Sequence, residues 1–310
     1  MRLLILGAGA TGGYFGGLLA KAGADVTFLV RSKRREQLTH DGLKIESRDG
    51  NVVTPVKAIT RDEIAGPFDA VILSSKAYDL ADAIETIRPA VGEQTLVLPL
   101  LNGMRHLDDL DAAFGKSCVL GGTCHISVVL DPDGKIRHLS PFASLTLGPR
   151  TATQEEGAKR LHNELALGGF DARYSDNVIG AMWEKWIFLA TLAGSTCLMR
   201  ASIGEIIDAH GAQFNASMFD ECCAVSAASG SPPRPAAEAG ARKTLTDPKS
   251  NISASMRRDI ERNARIEADH IVGDLINRGR KHAIATPLLD IAYIHLQAYQ
   301  NGLQKASETN

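Results

Sequence analysis

Lys185 stands in Met182-Trp-Glu-Lys185-Trp-Ile-Phe-Leu189, an apolar stretch in which an ammonium needs a reason. One account is a snorkelling lysine, with its stem buried and its charge in water. The other is acid catalysis: a placed ammonium polarises a carbonyl and protonates the alkoxide formed when hydride arrives. A second set of residues lies near the start of the chain. Gly7-Ala8-Gly9-Ala10-Thr11-Gly12 directly follows the apolar run Arg2-Leu-Leu-Ile-Leu6. In such a motif Gly7 permits a tight turn, Gly9 lets backbone approach a pyrophosphate, and Gly12 lets helix and strand pack closely. The unpaired N–H groups of the following helix then face the phosphates. The plainer account is a glycine turn that closes a βα unit.

The flanking elements favour the nucleotide account. Tyr14 to Ala22 has a helical pattern, and Asp25-Val-Thr-Phe-Leu-Val30 is a second strand ending at Arg31. NAD sites place a carboxylate at that strand end for the ribose 2′-hydroxyl. Here the residues are Arg31-Ser-Lys33-Arg34-Arg35. A carboxylate repels a 2′-phosphate, whereas a guanidinium pairs with it through two N–H groups. NADP(H) is therefore expected over NAD(H), with Arg31 the best placed of the four cations. A solvated basic turn is the alternative.

Ligands bind at the carboxyl ends of strands in parallel sheets. Lys76 follows the strand Phe68–Ser74, and Asn102 follows Gln94–Leu101. Lys76 could reach a cofactor phosphate or ribose and Asn102 the nicotinamide ribose; a loop lysine and an Asn-Gly turn are the alternatives. Further on, Ser253-Ala-Ser255-Met256-Arg257-Arg258-Asp259 opens a helix that Ser253 or Ser255 could cap. Such a start suits a carboxylate. Asp259, Asn263 and Glu267 come at four-residue steps and would share one helix face. A polar solvent face accounts for Asp259 and Asn263 equally well.

The 310 residues suffice for two domains. Strands and helices alternate through the first half, which predicts a mainly parallel sheet covered on both faces. Gly42–Glu46 and Asn51–Thr54 form a hairpin, and Lys135–His138 and Ala143–Gly148 are expected as antiparallel additions. Helical patterns cover Ile179–Met199, Ile203–His210, Ala212–Ser229, Pro235–Thr244, Ser255–Gly279 and Pro287–Leu303, with a disordered tail from Ala306. The fold class expected is α/β: a Rossmann-type domain over 1–175, binding NADP, and an all-helical substrate domain over 176–310.

A net charge of −2 gives no electrostatic footprint for nucleic acid. No apolar stretch approaches the ~20 residues of a membrane helix. The chain opens on a core strand rather than a charged leader. The 5 cysteines show neither metal nor disulfide spacing, which fits reduced thiols in a cytoplasmic protein. No metal site is expected. Cys222-Cys223 are helix residues, with a redox pair as the other account.

Together, the glycine motif at 7–12, Arg31, Lys-Ala-Tyr at 76–78, Asn-Gly at 102–103, Trp-x-Lys at 183–185 and Ser-Met-x-x-Asp at 255–259 followed by Glu267 resemble ketopantoate reductase (2-dehydropantoate 2-reductase) from about residue 2 to residue 300. The resemblance implies reduction of ketopantoate to pantoate by NADPH, a step toward coenzyme A. It implies Lys185 as proton donor and substrate contact, and Ser255 with the helix start Met256, Arg257 and Arg258 for the substrate carboxylate. Lys76, Asn102, the backbone near Ile126, and Glu267 would hold the cofactor. A substrate asparagine that precedes the serine motif is matched by Asn251.

The family helix also carries substrate asparagines four and eight residues after the lysine. Here those positions are Leu189 and Ala193. Thr196 returns to that face, but about 16 Å along the helix from Lys185. The reductase chemistry therefore carries over better than the substrate, which is ketopantoate or a less polar 2-oxo acid. Two other readings stay open: a β-hydroxyacid or imine reductase of similar layout, and a non-catalytic NADP(H)-sensing protein. The only partner implied is the small 2-oxo acid; a homodimer is one assembly open to the chain.

Overall fold

In the computed structural model every residue is described except Asp49, Thr309 and Asn310. The chain opens with β1 (Arg2–Leu6), whose Leu3, Leu4 and Ile5 are buried, then α1 (Ala10–Lys21) and β2 (Asp25–Leu29). Next come α2 (Ser32–Asp41), β3 (Leu43–Glu46), β4 (Val52–Thr54), β5 (Lys57–Ile59), β6 (Ala70–Leu73), α3 (Leu80–Ile87), β7 (Leu96–Pro99) and α4 (Arg105–Phe114). They are followed by β8 (Gly121–His125), β9 (Val128–Leu130), β10 (Ile136–His138), β11 (Ser144–Gly148), α5 (Glu155–Ala166) and β12 (Asp171–Tyr174). The remainder is helical: α6 (Val178–Met199), α7 (Ile203–Asp208), α8 (Ala212–Ala228), α9 (Pro235–Leu245), α10 (Ser255–Glu261), a π-helical turn Asp269–Gly273, α11 (Asp274–Lys281) and α12 (Pro287–Glu308). Two compact units result, one of Met1–Leu101 with His106–Ala181, the other of Asn102–Arg105 with Met182–Asn310.

Among the described residues of the first unit the strands form three sheets. The largest is wholly parallel, in the order β5-β2-β1-β6-β7. Its register pairs Leu6 with both Leu29 and Leu73, and Leu73 with Pro99, so four carboxyl ends lie level. Strand order reverses at β1, the switch point at which such sheets bind ligands. The hairpin of β3 and β4 is present. The two expected antiparallel additions are instead mixed: β10 pairs antiparallel with β9 but parallel with β3, and β11 antiparallel with β8 but parallel with β12. Each is too short in sequence to reveal how many neighbours it has.

Glycines let α1 lie between two sheets. A Cβ at Gly16 would meet Ile5 and lie 2.7 Å from the Phe28 ring; one at Gly17 would lie 2.5 Å from Leu43. One at Gly12 would collide with Ser74 Oγ and lie 2.6 Å from the Gly7 carbonyl oxygen. The backbone cannot yield as a flexible side-chain tip can. Gly12→Ala is therefore expected to cost on the order of 2 kcal/mol and to lower Tm by several degrees in a thermal melt.

In the second unit α6 is apolar around most of its circumference and correspondingly buried. Two of its buried hydroxyls bond back within the helix: Thr191 donates to the Ile187 carbonyl at 2.8 Å and Thr196 to the Leu192 carbonyl at 2.6 Å. The single helix expected over Ser255–Gly279 is broken. It ends after Glu261, and Asn263 adopts φ 52°, a left-handed conformation that Asn tolerates better than most residues. Asp259, Asn263 and Glu267 consequently do not share a helix face. α12 continues to Glu308, past the start of the expected disordered tail, whose last two residues lie outside those described.

All five cysteines are unbridged. Burial pushes the Cys197 and Cys223 thiols up to about 12 and raises Cys222 as well, which opposes a redox role for the 222–223 pair. Among the described residues no helix is long and apolar enough to cross a membrane, and no cluster suits a metal ion.

Candidate active site

Gly7 turns the chain with φ 89°, and its N–H donates to the Leu29 carbonyl at 2.9 Å. Gly9 is the N-cap of α1; no side chain caps that helix, and its first turn holds no acidic residue. A Cβ at Gly9 would meet nothing within 4 Å. The amides of Ala10, Thr11 and Gly12 thus open the helix beside an unfilled space, while Ala8 is buried behind them. Alongside, Ser74 Oγ donates to the Leu6 carbonyl at 3.2 Å. Ser75 Oγ is buried without a partner, one residue before Lys76, which begins a 3-10 turn at the end of β6. Ile126, half-buried between β8 and β9, packs on the core of this unit. An uncapped helix start, an open glycine and an orphaned hydroxyl fit the phosphates of a dinucleotide.

The basic turn after β2 separates into three roles. Arg34 is half-buried, and burial lowers its pKa. Its Nη2 and Nε donate to the Ala8 carbonyl at 2.9 and 3.2 Å, and Nη1 to Gln37 Oε1 at 2.5 Å and the Gly134 carbonyl at 3.1 Å. Arg35 pairs with Glu63 at 2.6 Å. Arg31 is the exposed N-cap of α2, and Lys33 is exposed in its first turn, which contains no acidic residue. Arg34 therefore braces the glycine loop, and Arg31 and Lys33 are the cations left to meet an anion.

In the second unit the half-buried Lys185 Nζ donates to Asn102 Oδ1 at 3.0 Å. An amide oxygen orients the ammonium without neutralising it. The adjacent Glu184 is engaged elsewhere: its carboxylate accepts from Arg234 at 2.7 Å through both Nε and Nη2, which holds its pKa below the usual range. The next residue in the chain fixes Asn102. Gly103 has φ 80°, and a Cβ there would lie 2.5 Å from the His270 carbonyl oxygen. On the same helix as Lys185, Leu189 is half-buried, and Ala193 is 0% exposed.

The N-cap of α10 is Ala254 and no side chain caps it, so neither Ser253 nor Ser255 performs that role. The Ala254 N–H instead donates to Thr196 Oγ1 at 3.2 Å. Ser255 is exposed at the first helical position, with Met256 buried behind it. Arg257 turns to Glu261 at 2.8 Å, Arg258 is half-buried, and Asn251 is exposed in the preceding segment. Glu267 is buried at 7% exposure, and its backbone carbonyl accepts from the Ile271 N–H at 3.0 Å.

Gly7–Gly12, Arg31, Lys76 and Ile126 thus belong to the first unit, and Asn102, Lys185, Asn251, Ser255–Arg258 and Glu267 to the second. The fold joins Lys185 directly to Asn102, and the Ser255 segment to α6 through Thr196. Sequence reasoning missed the bracing by Arg34 and by Thr196. Thr196 on the face of Lys185 was the available signal, although its partner is the α10 start rather than a ligand.

Comparisons with known proteins bear on the family and the fold. The family profile described as Ketopantoate reductase PanE/ApbA matches residues 3–152, and that of its C-terminal part matches 177–300. The chain is 38% identical over 303 residues to the uncharacterized oxidoreductase YkpB of Bacillus subtilis, covering 97% of this chain and 99% of that one. A PanE/ApbA family ketopantoate reductase from Ralstonia eutropha superposes with a TM-score of 0.88 at 26% identity, covering 98% of this chain and 100% of that one. A D-mandelate dehydrogenase solved with NADH and anilino(oxo)acetate superposes equally, with a TM-score of 0.88 at 24% identity, covering 98% and 100%. The chain is an oxidoreductase-type protein that belongs to the ketopantoate reductase PanE/ApbA family.

Proposed function

We propose that the protein reduces a 2-oxo acid with NADPH and that Lys185 is the proton donor. The contact of Lys185 Nζ with Asn102 Oδ1 carries this reading. It unites the lysine that the family resemblance makes the proton donor with an asparagine that it assigns to the cofactor. NADPH, when bound, supplies the hydride. The protein's part is to hold a proton at Lys185 Nζ, to polarise the substrate carbonyl with that charge, and to release the proton to the resulting alkoxide. With Glu184 occupied by Arg234, the lysine keeps its charge for the substrate.

The loop residues Gly7–Gly12 would hold the pyrophosphate, and Arg31 with Lys33 the 2′-phosphate. Lys76, Asn102, Ile126 and Glu267 would complete cofactor binding, while Ser255 and the α10 start, with Asn251 nearby in sequence, would receive the substrate carboxylate. Gly9→Ala tests the phosphate site. Its Cβ meets no protein atom, so Tm of the unliganded protein should stay within about 1 °C, whereas NADPH affinity should fall at least tenfold by fluorescence titration. Unchanged affinity would remove the loop from the site.

The half-buried Leu189 favours a less polar substrate than ketopantoate, whose hydroxyl would lack an amide partner there at about 1–3 kcal/mol. A 2-oxo acid with a branched alkyl or phenyl side chain is expected to equal or exceed ketopantoate in kcat/KM. Leu189→Asn should move the preference toward ketopantoate. Ala193→Asn should destabilise the fold, because that position is fully buried. A hundredfold preference of the unmutated protein for ketopantoate would overturn this substrate assignment.

A further inference from the structure

Lys185 and Asn102 come from sequence positions far apart, yet the residue that follows each of them meets one short structure, the π-helical turn Asp269–Gly273. Such turns are rare and recur at functional sites, because one extra residue displaces the backbone around it. Trp186, next to Lys185 in α6, is 1% exposed, and its Nε1–H donates to the Ile271 carbonyl in the middle of the turn at 2.9 Å. Asn102 is followed by Gly103, where a Cβ would lie 2.5 Å from the His270 carbonyl oxygen of the same turn and 3.9 Å from Trp186 Nε1.

The turn is fixed on its other side. The Asp269 carboxylate accepts from Tyr293 at 2.7 Å and from Gln297 at 2.6 Å, both on α12. Burial and Asp269 push the Tyr293 phenol up to about 12, which keeps it a donor. A Cβ at Gly273 would lie 2.9 Å from the Tyr293 ring, so the turn has little room to shift toward α12.

We infer that Trp186 is a positioning residue that holds Lys185 against Asn102 by anchoring α6 to the π-helical turn. This role rests on the reading of Lys185 as proton donor. The indole grips the turn by a directed bond beside the lysine, and the turn limits where the Asn102-Gly103 backbone can lie. Losing the bond would let the ammonium drift from its productive position, and displacements near 1 Å cost up to about a hundredfold in rate.

Trp186→Phe keeps a buried ring and removes the N–H. It is to be compared with Phe219→Leu, a core change in α8 at a position of 0% exposure, and with Lys185→Ala, by thermal melts, NADPH titration and steady-state kinetics. The expected result is a fall in kcat of about tenfold for Trp186→Phe, with substrate KM and NADPH Kd within about twofold of the unmutated protein. Phe219→Leu should lower Tm without that loss of kcat. Unchanged kcat in Trp186→Phe, or equal kcat losses in the two core variants, overturns the inference. If Trp186→Phe does not fold, Tyr293→Phe loosens the same turn from α12 and should lower kcat at least threefold; no change there overturns the inference. An inactive Lys185→Ala beside a fully active Trp186→Phe removes the positioning role alone, whereas an active Lys185→Ala removes the proton-donor reading itself.

Discussion

Lys185→Ala is expected to lower kcat by roughly 10²–10⁴-fold, the scale of a placed general acid. That range corresponds to about 2.7–5.5 kcal/mol of transition-state stabilisation. The geometry is the reason. The ammonium is half-buried, oriented by Asn102 at 3.0 Å and unopposed by Glu184, which Arg234 holds. NADPH affinity should change little, and the variant should fold, since truncation removes a polar tip and leaves the buried tryptophans on either side. Lys185→Arg separates the two contributions of the ammonium. A guanidinium retains charge but does not give up a proton in the accessible pH range. It should therefore recover only the electrostatic part and remain at least tenfold below the unmutated enzyme. Near-normal kcat in a folded Lys185→Ala would return the residue to the snorkelling account.

The second large effect concerns the cofactor. Arg31→Ala should weaken NADPH binding by about 10–100-fold, the worth of a charge-assisted contact to phosphate, while NADH affinity stays within about threefold. Arg31 is exposed at the N-cap of α2, where an NAD site carries a carboxylate. Arg34 provides the internal contrast. Its donors are spent on the Ala8 and Gly134 carbonyls and Gln37, so its loss should disturb the glycine loop and weaken both cofactors alike. Titration of each variant with both cofactors measures the ratio directly. Equal affinities of the unmutated protein for NADPH and NADH would refute the assignment.

Sequence carried the first βαβ unit almost completely, because the glycine spacing, the apolar β1 and the end of β2 are local signals that agree. It carried Lys185 for a similar reason, since a charge inside an apolar helix is conspicuous without any structure. The division of the strands among three sheets was not legible, as pairing partners of three- to five-residue strands lie far apart in the chain. The break within Ser255–Gly279 was hidden by apolar spacing that suits a helix on both sides of Asn263. The π-helical turn has no composition of its own, and the bonds that make it matter run from its backbone to Trp186 and Gly103, where no side-chain pattern records them. Burial of Ala193 likewise depends on neighbours that only the fold supplies.

Reduction of a 2-oxo acid with Lys185 as proton donor is tested by the decay of NADPH absorbance when such an acid is added to the purified protein, with the organic product identified. Stoichiometric oxidation of NADPH and formation of the corresponding 2-hydroxy acid are expected, both slowed at least a hundredfold in Lys185→Ala. NADPH that binds yet is not consumed with ketopantoate or with any alkyl or aryl 2-oxo acid would contradict this reading.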